Sequence, residues 1–209
     1  MCDHAMDPSG DVILTLNHPN DIKQVSTEDG SGQSMEEEKT PKPDSTTFRV
    51  SSRHLILASP VFKAALTGGW KEADTSNGER QLSAEDWDTE AMTIVLNAIH
   101  GHYRLVPTTV TLEMLARIAS IVDYYAVHET MQLLGPIWLD HLRPKLPTTA
   151  RPERHIVLWM CVSWAFGDAA AFSHVTQVAI QDGHRDITSL EFPIPSAIIG
   201  KTAHGNPLV

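Results

Sequence analysis

Cysteine is the scarcest chemical resource in this chain. Its 209 residues hold two, Cys2 and Cys161, in no Cys-x-x-Cys pair. The first falls in an N-terminal lead-in and the second in a predicted buried helix, so a structural disulfide is not expected and a reducing compartment is the default. Basic side chains are also in deficit, 16 Lys and Arg against 26 Asp and Glu for a net charge of −10. With no basic run to offset that balance, attraction to nucleic-acid phosphates or anionic lipid is disfavoured. No apolar run approaches the roughly 20 residues needed to cross a bilayer. The stretch Met1–Asp7 lacks the basic segment and apolar core of a secretory signal. These absences together predict an intracellular protein, cytoplasmic, nuclear or both. Motifs of catalysis are missing too: there is no HExxH, no GxSxG, and no glycine-rich loop in a phosphate-binding context.

What remains is ordinary globular composition, 42% hydrophobic and 20% charged, enough for one core with an annex. Asp11–Leu16 is β-branched and apolar, bounded by Gly10 and by Asn17-His18-Pro19-Asn20, and reads as a largely buried strand. Its expected partner is Phe48–Val50. Residues 24–47 between them contain Gly30-Ser31-Gly32, Glu36-Glu37-Glu38 and Pro41-Lys42-Pro43 and almost no large apolar side chain. Such a stretch cannot offset its ordering entropy by burial and reads as a disordered insertion in a hairpin loop.

The richest local pattern is Phe48 to Phe62. A short strand passes into a helix bearing Leu55, Ile56 and Ala58, with Ser51 or Ser52 expected to supply the capping oxygen. Ser59-Pro60 then restarts the helix, serine as cap and proline at the first helical position, with Val61, Phe62, Ala65 and Leu66 on the apolar face. Gly68-Gly69 ends it. Gln81–Ser83 reads as a short strand, and Asp86 or Asp88 as the cap of a helix carrying Met92, Val95, Leu96 and Ile99, stopped by Gly101.

Next comes a helix with two apolar stripes, Leu112/Leu115/Ala119/Val122 and Ile118/Ile121/Tyr125, which implies burial on more than one side. Met131, Leu134, Trp138 and Leu142 keep a helical period across Gly135-Pro136, a dipeptide expected to kink or divide the helix. A further helix from about Pro152 should bury Ile156, Trp159, Met160 and Trp164. Gly167 ends it, and Asp168 caps another that carries Phe172, Val175 and Val178. A short helix is expected at Ala197–Lys201. Residues 1–10 read as a mobile N-terminus, 11–143 as the main domain and 151–209 as a helical extension and tail.

This order resembles the BTB/POZ domain, most closely the branch found in filamentous fungi. The resemblance rests on Gly10–Leu14, Phe48–Ser52, His54–Lys63, Trp70-Lys71-Glu72, Ile99-His100-Gly101 with Val106-Pro107, Ile118–Tyr125 and Trp138. It covers roughly residues 10 to 143, and Trp159–Leu190 resembles the helical extension that often follows in that branch. The resemblance implies an α+β fold, a small sheet covered by a cluster of helices with a C-terminal helical extension. It also implies a noncatalytic interaction module that self-associates or serves as an adaptor for a cullin-type ubiquitin ligase. In such adaptors a hydrophobic-x-Glu motif follows the paired short helices, the place held here by Trp70-Lys71-Glu72. Leu66, Trp70 and Glu72 are therefore the candidate partner contacts. Protein partners are expected, a cullin scaffold or a second copy among them, with no cofactor, metal, small-molecule substrate, nucleic acid or membrane.

Two other functions stand beside this one. A homodimerising scaffold without a ligase role needs only the same apolar surfaces. A small metal-dependent hydrolase would need His54, His100 or His102 gathered with carboxylates in a pocket. The pair His100-Gly101-His102 invites that reading, but the cysteines offer no companion ligands, and surface or loop histidines are the simpler account. Around Glu85-Asp86-Trp87-Asp88 the acids satisfy a helix N-terminus and need no reaction to explain them.

Overall fold

The computed structural model describes residues 2–20, 45–68, 80–149 and 152–181, together with Phe192. Alternation in three segments builds the sheet. In β2 (Val12–Asn17) Val12, Leu14 and Leu16 are fully buried, while β3 (Ser45–Val50) buries Thr46, Phe48 and Val50. The two pair antiparallel with Val12 opposite Val50 and Leu14 opposite Phe48, the partnership expected from sequence. β4 (Arg80–Glu85) lies parallel to β2 and sets Leu82 beside Leu14 and Ala84 beside Leu16. Rows such as Phe48–Leu14–Leu82 thus run across one face, where a register slip of one residue would turn every apolar side chain to the other side.

The lead-in expected to be mobile contains a strand of its own. β1 (His4–Ala5) runs parallel to β3, with His4 opposite Phe48, and gives the sheet order β1-β3-β2-β4. Asp3 fastens it, its Oδ2 accepting from the Thr47 amide at 2.8 Å and the Thr47 hydroxyl at 2.7 Å. Two residues gave no periodicity from which to read a strand. β3 also begins at Ser45, within the segment expected to be disordered; residues 24–44 of that segment, and Ala197–Lys201, lie outside the described residues.

Eight helices are described: α1 (Ser52–Ala58), α2 (Pro60–Thr67), α3 (Thr89–Ile99), α4 (Leu112–Tyr125), α5 (His128–Met131), α6 (Leu134–Leu142), α7 (Glu153–Ala165) and α8 (Ala169–Gln181). Asp88 caps α3 by accepting from the Ala91 amide, and Asp168 does the same for α8 through Ala171. The two stripes of α4 have a simple explanation: α4 packs against α3 on one side and α7 on another. α7 in turn packs on α8, and the buried residues of both join the same core as the sheet. The fold is α+β, a four-stranded sheet with a cluster of helices, and α7 and α8 share its single core.

Two helix details depart from the sequence reading. The division expected at Gly135-Pro136 falls earlier, between Met131 and Leu134, so that Pro136 lies in the first turn of α6, where proline is tolerated. Gly135 serves another purpose there: a Cβ would stand 2.5 Å from the Phe166 ring. In α7 the buried set runs from Ile156 through Ser163 and then Ala165, whereas Trp164 is 45% exposed, tilted against Phe172. Trp138 is fully buried, its indole N–H donating to the Pro107 carbonyl at 2.8 Å.

Gly10 is held by close approach. A Cβ built on it would lie 2.5 Å from the Val50 carbonyl oxygen, a backbone atom that cannot rotate aside. Replacement Gly10→Ala should destabilise the fold by about 1–3 kcal/mol, read as a lower urea midpoint. At the end of α4, Ala126 adopts φ 52° and ψ 45°, a left-handed conformation that costs a side-chain-bearing residue about 1–2 kcal/mol. Ala126→Gly should raise stability by up to about 1 kcal/mol in the same assay, the gain being trimmed by glycine's larger unfolded-state entropy.

Candidate interaction surface

The restart between α1 and α2 is made by Ser59, as the sequence predicts. Its amide closes α1 on the Leu55 carbonyl, and its hydroxyl oxygen accepts from the Phe62 amide at 3.0 Å. The same hydroxyl donates to the Tyr125 carbonyl at 2.6 Å, so one buried serine joins both short helices to the end of α4. Directly beside it the Phe62 and Tyr125 rings stack, centroids 4.2 Å apart and planes 14° from parallel. Tyr125 meets Tyr124 edge-on at 4.8 Å, and Trp87, from the β4–α3 connection, meets Tyr124 at 5.3 Å.

This aromatic stack leads from the core to solvent. Phe62 and Tyr125 are buried, Trp87 is half-buried, and Tyr124 is 61% exposed. Burial pushes the Tyr125 hydroxyl up to about 12, against a smaller opposing effect of its hydrogen bond with Trp87, so it stays neutral at physiological pH. An exposed tyrosine bedded on buried rings has little conformational freedom left to lose, which is the physical condition for an interface anchor.

The three contacts expected from sequence fare differently. Leu66 is 2% exposed and belongs to the core, so it supports α2 from within and is not presented to a partner. Its place on the buried stripe with Phe62 explains why. Trp70 and Glu72 lie outside the described residues; α2 ends at Thr67, with the Gly68 amide bonded to the Ala64 carbonyl at 2.8 Å. Sequence reasoning missed Tyr124 and Trp87. Their signal was the doublet Tyr124-Tyr125 at a helix end, where one ring of two must face outward.

The histidines form a cluster with a structural task. His100 stacks on His54 at 5.0 Å, and its ring lies 6.3 Å from that of His102. His100 Nδ1 lies 2.8 Å from the Leu96 carbonyl, which can only accept, and Nε2 lies 3.0 Å from the Ser51 amide, which can only donate. The ring is therefore the neutral tautomer with its hydrogen on Nδ1. Among the described residues no group of three or more His, Cys, Asp and Glu is arranged to hold a metal ion.

The start of α1 completes the cap in a way the sequence did not suggest. Neither Ser51 nor Ser52 caps the helix with its own oxygen. Asp11 does so from the head of β2: Oδ1 accepts from the Ser52 amide at 2.8 Å and Oδ2 from the Ser52 hydroxyl at 2.7 Å. Burial raises the Asp11 carboxyl, but these bonds outweigh it and hold the group below its usual range.

Other potential chemistry is committed to packing. Asp88 is buried as a helix cap, and Ser59 is fully engaged. Cys161 is 1% exposed, with burial as the main cause pushing its thiol up to about 12. No helix among the described residues is long and apolar enough to cross a membrane. No protein-family model matches the chain, and no curated protein matches it.

A thiol so placed is a poor nucleophile. Iodoacetamide at pH 8 should leave Cys161 unmodified in the native protein and modify it once urea unfolds the chain, as peptide mass mapping will report.

Proposed function

We propose that this chain is a noncatalytic protein–protein interaction module of the BTB/POZ kind, acting as an adaptor for a cullin-type ubiquitin ligase. The order of the elements supports the reading. An antiparallel hairpin, β2 and β3, runs straight into two short helices, a third strand returns parallel to the first, and apolar helices follow. The order of these elements is the order on which the resemblance rests.

The observation that carries the reading is Tyr124, which stands exposed on packed rings at the end of α4. Phe62 of α2 reaches the same stack through Tyr125. The chain leaving α2 bears Trp70-Lys71-Glu72 within five residues of the helix end. Tryptophan and tyrosine are among the side chains enriched in binding hot spots, in pockets that a partner fully desolvates. With Leu66 assigned to the core, the contact set becomes Trp70, Glu72 and Tyr124.

The test is binding of this purified chain to a purified cullin scaffold. Trp70→Ala with Glu72→Ala, and separately Tyr124→Ala, should each weaken binding by about thirtyfold, equivalent to about 2 kcal/mol, with the melting temperature unchanged. Undiminished binding by both variants, or no binding by the parent protein, would remove the adaptor reading. Loss of self-association in their place, seen by light scattering across concentrations, would favour the homodimeric scaffold.

A further inference from the structure

We propose that His100 is a proton-operated latch that holds the start of α1 to the end of α3 and lets it go when the ring takes up a second proton. The inference rests on the two nitrogens and is independent of the partner reading. As the neutral ring donates from Nδ1 to Leu96 and accepts at Nε2 from Ser51, it spends both of its hydrogen-bonding positions on backbone groups 45 residues apart in sequence. An imidazolium carries a hydrogen on each nitrogen. Its Nε2–H would then face the Ser51 N–H, two donors at the 3.0 Å now occupied by a bond. A buried amide would lose its acceptor and the ring would have to move.

The surroundings set the direction of the ring's titration. His54 faces it from α1 and His102 from the turn after α3, while Asp7 of the lead-in acts in the opposite sense. On the outer side His54 and His100 form part of the wall of a groove of ≈ 420 Å³, with Tyr103 and, from α5, Glu129. Burial, as the largest effect, holds His100 below the ordinary 6.5; the bond to Leu96 opposes it, and the neighbouring histidines add to it. The unfolded chain therefore binds this proton first as pH falls. The stabilisation is complete above pH 6.5 and is lost progressively below it, and once pH passes the ring's own lower pKa the folded protein takes the proton and the latch opens.

The second cap behaves differently. Asp11 is held below its ordinary 3.8, so its bonds to Ser52 persist as pH falls from 7.5 to 4.5. Opening is thereby confined to the Ser51 junction.

The test follows the His100 Cε1–H by NMR from pH 7.5 to 4.5 in the full chain, together with hydrogen exchange at the Ser51 amide. His100 should titrate below 6.5. Protection at Ser51, corrected for intrinsic rate, should fall at least tenfold relative to protected β2 and β3 amides with the same midpoint. A His100 midpoint at or above 6.5, or Ser51 protection constant relative to the sheet, would overturn the proposal. His100→Gln offers an amide oxygen to Ser51 without a titrating group and should keep the protection flat; the parental pH-dependent loss in a folded variant would also overturn it. If that variant fails to fold, the two measurements on the parent protein still decide.

Discussion

The structure hangs on two backbone amides. Where β3 turns into α1, the N–H groups of Ser51 and Ser52 are orphan donors of a helix start, and local serine side chains do not satisfy them. His100 takes the first and Asp11 the second. One residue comes from just beyond α3 and the other from the head of β2, so the junction ties the first buried strand, its hairpin partner and the most buried helix together at one point. Gly10 is pressed against the Val50 carbonyl immediately beside it, and the Arg49 guanidinium donates to the Gly10 carbonyl at 3.0 Å. With its start held there, α1 directs Leu55 into the core and delivers the chain to Ser59.

Ser59 repeats the device one helix later. It caps α2 locally and spends its proton on the end of α4, beneath the Phe62–Tyr125 stack. From α4 the packing passes to α7 and then α8. The extension is joined to the body by charge as well as by burial: the Arg143 guanidinium donates to Asp168 at 2.8 Å, the same carboxylate whose other oxygen caps α8. Phe166 closes over Gly135 and meets Trp138 edge-on at 6.5 Å. A chain cut near residue 143 would therefore open a wall of the shared core, because Trp159 and Val157 are as buried as any residue of the sheet.

Much of this was legible in sequence wherever the deciding partner lay close by. The alternation of Val12, Leu14 and Leu16, the Ser59-Pro60 restart, the Asp88 and Asp168 caps and the Gly101 and Gly167 stops are all short-range effects, and each is found where periodicity and capping place it. What escaped depends on distant partners. Asp11 is 41 residues from Ser52 and His100 is 49 from Ser51, and no local pattern encodes such pairings. Periodicity also marks which residues are apolar without saying which apolar face will be covered. Trp164 and Leu66 show the two outcomes: one expected in the core and exposed, the other offered to a partner and buried.

The burial of Leu66 narrows what the surface beside α2 can do. An apolar side chain cannot both fill the core and anchor a partner unless the helix leaves its seat, and α2 is fixed at its start by the Ser59 bond and by the stacked Phe62 ring. What the described residues present on that side is the Tyr124 ring, 61% exposed and bedded on the buried Tyr125 and Phe62 rings. A ring held in this way has less conformational entropy left to lose than one on a mobile segment. The same serine that restarts the helix thus seats the stack beneath Tyr124, and a capping choice read from two adjacent residues sets the geometry of that surface.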